Sequence, residues 1–142
     1  MKLATFVASL GILVVLTGHA FGQEKGSSAP EMREFFAVAE NRRAYESAVA
    51  DGRIEAGREK FHTACLEQKD RGKKVDCACY RRELQTTPDD VFFYETVLAY
   101  REYVEKVSAL GNDDMQKYEA LKKQHAARDS LLKRLEQTCG KL

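Results

Sequence analysis

Apolar residues recur along most of this chain at the three-and-four spacing of a helix, and few segments alternate at the two-residue period of a strand. From Pro30, Phe35, Val38, Tyr45 and Val49 keep helical spacing, interrupted by Arg42, until Asp51-Gly52 offers a stop. A second helix is predicted over 53–69, with Ile54, Phe61, Cys65 and Leu66 towards one side. Gly57 weakens it by about 1 kcal/mol against alanine, so the first two helices also read as one bent helix. After the polar turn from Arg71 to Val75, Asp76 suits an N-cap for a short helix ending near Thr86.

The next start is written most clearly. Thr87-Pro88-Asp89-Asp90 supplies a capping hydroxyl, a proline at the first helical position and acids in the first turn, so a long helix is predicted over 88–110. Phe93, Val97, Tyr100, Val104 and Val107 form a continuous stripe on it. After Gly111-Asn112 the spacing returns over 113–138 as Tyr118, Leu121, His125, Leu132, Leu135 and Cys139, with Arg128 the one polar step and Gly140 the terminal cap. The two stripes are expected to face each other across an antiparallel helix hairpin. The class is therefore all-α: a small bundle of four or five helices closed by that C-terminal hairpin.

The N-terminus adds a destination. Met1-Lys2, the mostly apolar run from Leu3 to Leu16 and the small-residue pattern Ala20-Phe21-Gly22 read as a signal peptide over 1–22. The run is shorter than the ~20 residues a spanning helix needs, and no cysteine marks a lipidation point, so no stable membrane anchor is expected after cleavage. Residues 23–29 read as a flexible lead-in and 30–142 as a single helical domain, secreted or periplasmic. Removing the leader takes away Lys2 and no acid, leaving 22 basic against 22 acidic residues. That balance carries no basic surplus for phosphate binding, so nucleic acid is not an expected partner.

Four cysteines change the picture most. In an exported chain, Cys65, Cys77, Cys79 and Cys139 are most simply two disulfides. Cys77 and Cys79, two apart on a helix, point about 200° apart and are poorly placed to bond each other. Each then needs a partner: Cys65 with Cys77 and Cys79 with Cys139 is the preferred pairing, its swapped form close behind. Two other chemistries use the same residues. His62, Cys65, Cys77 and Cys79 supply an imidazole and three thiolates suited to Cu(I) or Zn, and Cys77 or Cys79 at a helix start near Lys73, Lys74, Arg81 and Arg82 suits a reactive thiolate. Oxidising conditions consume such thiols, and the Cys-x-x-Cys redox motif is missing.

No serine nucleophile motif, phosphate-cradling glycine loop, metalloprotease histidine pair or haem-attachment motif occurs, and His125 on an apolar stripe suggests packing. No catalytic, metal or cofactor site is assigned. The aromatic group of Phe92, Phe93, Tyr94, Tyr100 and Tyr103 is denser than one face requires. Phe92 and Tyr103 lie off the stripe and make a possible partner face. The functional expectation is a non-catalytic binding or scaffolding module with a protein partner, with metal binding or thiol redox as the alternative.

Overall fold

The computed structural model describes residues 29–142. The leader at 1–22 and all but the last residue of the lead-in lie outside them. Seven helices and no strand occur among the described residues: α1 Ala29–Ala37, α2 Ala39–Ala50, α3 Arg53–Asp70, α4 Cys77–Thr86, α5 Asp89–Gly111, α6 Met115–Ala127 and α7 Leu131–Cys139. The all-helical class holds, but the count exceeds four or five because two predicted helices are broken.

The first break is at Val38, which is extended between α1 and α2. Asn41 makes it stable: its side-chain Nδ2 donates to the Phe35 carbonyl at 2.9 Å, occupying an acceptor at the end of α1. The bend lets Phe35, Phe36 and Tyr45 close around Phe93 of α5, with ring centroids 5.5 to 6.5 Å away. At Gly52 the chain takes a positive φ of 68°, and α2 and α3 are separate helices. Gly57 does not bend α3. A Cβ there would stand 3.0 Å from Phe92 Cε1, so the glycine makes room for that ring.

The second break lies at Arg128, also extended, which divides the predicted 113–138 helix into α6 and α7. Arg128 leaves the helix to reach two carboxylates of α5, with Nη1 2.7 Å from Glu95 and Nε 2.6 Å from Glu102. Ser130 then restarts the chain, accepting from the Lys133 N–H at 3.2 Å. Glu95 also accepts from the Leu131 N–H at 3.3 Å, placing a carboxylate at the positive end of α7.

The caps refine the remaining boundaries. Asp76 caps α4 as expected, accepting from the Cys79 N–H at 3.0 Å. Pro88 stands at the N-cap of α5 rather than inside it, and the Thr87 hydroxyl donates back to the Glu83 carbonyl at 2.8 Å, closing α4 instead of opening α5. Asp114 caps α6, accepting from the Lys117 N–H at 2.9 Å.

The core lies where α3, α4 and α7 meet the start of α5. It contains Ile54, Val75, Tyr80, Leu84, Phe92, Leu131, Leu135 and the four cysteines. Arg58 links α3 to the α4–α5 turn, donating from Nη2 to the Thr87 carbonyl and to Asp89, both at 2.7 Å, with its guanidinium 5.3 Å from the Phe92 ring centre. Glu55 pairs with the same guanidinium. Burial alone would lower the Arg58 pKa, but the hydrogen bonds and charges of Asp89 and Glu55 raise it above its usual value.

Candidate functional site

The α4 start is a junction. Cys77 is bonded to Cys65 of α3 and Cys79 to Cys139 of α7, with Cα atoms 5.7 and 5.5 Å apart. Two residues apart on one helix, the sulfurs leave in different directions and tie α4 to both neighbours. The backbone repeats the link, since the Asp76 N–H donates to the Cys139 carbonyl at 2.9 Å and the Tyr80 hydroxyl donates to the Gly140 carbonyl at 2.7 Å. Burial, followed by the nearby Glu136 charge, pushes the Tyr80 phenol up to about 12. Gly140 closes this corner with φ 95°, where a Cβ would come 2.7 Å from the Lys74 carbonyl oxygen.

All four cysteines are buried, and none is free among the described residues. In this bonded state no thiolate is available to hold metal or attack a disulfide. His62 lies on the same helix as Cys65, but no group of three or more His, Cys, Asp or Glu side chains among the described residues is placed to hold a metal ion. Two disulfides belong to an oxidising compartment, and no described helix is long and apolar enough to cross a membrane.

Along α5 the sequence reading of inside and outside needs correcting. The stripe of Phe93, Val97, Tyr100, Val104 and Val107 was expected to meet α6, yet Tyr100 is 67 % exposed, and Val104 and Val107 are nearly half exposed. The side facing α6 carries Leu98, Glu102 and Glu105, with buried Glu95 and Ala109 along the same side. This polar side can turn inward because Arg128 lies between Glu95 and Glu102. Burial would lower the Arg128 pKa, but its hydrogen bonds to Glu95 and Glu102 and their charges raise it.

The aromatic cluster divides in the same way. Phe92 is only 3 % exposed and packs 6.4 Å from Phe61, so it belongs to the core and not to a partner face. Phe93 and Tyr94 are covered by α1 and α2, with Tyr94 5.1 Å from Phe35. Tyr103 does face outward, at 61 % exposure. It stands among residues that periodicity had put in the core: Tyr100, Val104 and Val107, with exposed Leu110 and Met115 beyond. One signal could have located them. Arg128, the polar step in an otherwise apolar stripe, needs buried acids, and Glu95 and Glu102 sit seven apart on the other side of α5.

Between α5 and α6 a cleft of about 330 Å³ is lined by residues that include Glu102, Glu105, His125 and Arg128. His125 Nε2 lies 3.2 Å from Glu105, and its buried Nδ1 has no hydrogen-bond partner among the described residues. A carboxylate can orient a histidine as a base, but no serine, threonine or cysteine among the described residues lines the cleft to be activated by it. No family model, curated protein or solved structure matches this chain.

Proposed function

We propose that the chain is an exported, disulfide-stapled helical module that works by binding a protein rather than by catalysis, and that its contact surface is the outer face of α5. One observation carries this reading. Tyr100, Tyr103, Val104, Val107 and Leu110 are exposed together at helical spacing on α5, whose opposite side is fixed against α6 by the Glu95–Arg128–Glu102 ion pairs. Such a patch costs solubility unless something covers it, and tyrosine offers a large apolar body with a polar tip suited to contact surfaces. The leader pattern at 1–22 and the two disulfides support export to the periplasm or beyond the cell.

The test is site-specific photo-crosslinking in cells that export the chain. A photoreactive phenylalanine at Tyr103 is expected to give a protein adduct, and the same probe at Lys141, on the exposed C-terminal tail, to give none. Absence of any adduct at Tyr103 contradicts the reading.

A further inference from the structure

We infer that the protein covering the outer face of α5 is a second copy of this chain, packed antiparallel as a two-fold dimer. This rests on the reading of that face as the contact surface and names its occupant. Phe93, Tyr100 and Val107 stand seven residues apart, and Thr96, Tyr103 and Leu110 form a second seven-residue line beside them. Two such lines are the a and d positions of a coiled-coil seam, whose geometry calls for another helix alongside. Among the described residues the Phe93 end is occupied, by Phe36 and Tyr45 of α1 and α2, while Tyr100, Tyr103, Val104, Val107 and Leu110 are exposed.

The charge pattern agrees. In a chain with 32 % charged residues, Phe93, Thr96, Val97, Tyr100, Tyr103, Val104, Val107 and Leu110 include none, while Glu95, Arg101, Glu102, Glu105 and Lys106 lie between them. The side of α5 that carries ionic pairs is turned towards α6, which leaves an apolar side for a partner helix.

A second copy supplies a matching surface of the same length. In an antiparallel register Tyr100 of one chain lies opposite Leu110 of the other, and Tyr103 opposite Val107, so each ring meets an aliphatic side chain. Ala99 and Gly111 at the flanks are small enough for close approach. The exposed fractions of these side chains amount to roughly 600 Å² per copy, or about 1,200 Å² for the pair, the lower edge of stable interfaces. Two-fold pairing covers this face in both chains and forms a closed assembly. An interface of this size without buried ion pairs is expected at the weak end of its class, with a dissociation constant on the order of 1 μM.

Sedimentation equilibrium of the full exported chain tests this. The mass is expected to double as concentration rises through the micromolar range. Tyr103→Glu and Val107→Glu should each give monomers with unchanged far-ultraviolet circular dichroism, and Leu132→Glu, on the exposed side of α7, should leave the dimer intact. Tyr100→Ser, a neutral truncation, gives the same readout if a charge disturbs the helix. A wild-type monomer throughout that range, or a dimer that survives these α5 changes, overturns the inference. The photo-crosslink at Tyr103 separates the two readings: an adduct of two chains supports both, one with a different protein overturns only the dimer, and no adduct overturns both.

Discussion

With Glu95 only 4 % exposed and Glu102 22 %, two negative charges face the inside of the α5–α6 pair, and the Arg128 guanidinium between them makes that arrangement tolerable. Replacing Arg128→Met takes away this cation and is expected to cost about 3 kcal/mol in urea unfolding at neutral pH. Adding Glu95→Gln should recover part of the loss, a coupling that a double-mutant cycle reads directly. Tyr80 sets a second residue-level dependence. Its folded-state pKa of about 12 lies above the ordinary value of 10, so its contribution is complete below pH 10 and is lost as pH rises towards 12. The loss reaches roughly 3 kcal/mol at most. Urea unfolding at pH 8 and pH 11 should therefore show a smaller alkaline loss in Tyr80→Phe than in the wild type. An equal loss in both assigns the alkaline sensitivity to other groups.

Helix starts and stops were largely legible in the sequence where short-range chemistry sets them. Asp76 before α4, Gly52 before α3 and Gly140 after α7 each act through their own backbone or the next few residues. Breaks that serve distant partners were not legible. The Val38 break, held locally by Asn41, is used to close Phe36 and Tyr45 around Phe93, and Arg128 is held extended by carboxylates 26 and 33 residues away. Among elements, the two disulfides differ in reach: one closes 12 residues between α3 and α4, the other 60 between α4 and α7. In the chain-entropy model they contribute about 3 and about 4 kcal/mol. Removing Cys79 and Cys139 together should free α7, exposing Leu131 and Leu135, and lower the unfolding midpoint more than removing Cys65 and Cys77. Thermal unfolding of the two double-alanine variants compares them, and an equal or reversed order contradicts the assignment of α7 to the core through that bond.

For the whole molecule, the consequential question was which side of α5 faces the core. Apolar periodicity finds a stripe but not its destination, because an apolar face can be reserved for another molecule while a neutralised polar face packs within the chain. Tyr103 was legible as an exposed residue because it stood off the expected stripe. Tyr100, Val104 and Val107 were not read so, since nothing local distinguishes a core seam from an exposed one; the signal that does, Arg128 with Glu95 and Glu102, is long-range. The orientation of α5 underlies both the proposed contact surface and the dimer, and two substitutions two positions apart test it. Val107, 46 % exposed, and Ala109, 1 % exposed, lie on nearly opposite sides of the helix. In urea unfolding of dilute protein, Val107→Glu should change stability by no more than about 0.5 kcal/mol, and Ala109→Glu should cost more than about 3 kcal/mol. The reverse order would place the Tyr100–Val107 stripe in the core and contradict the account.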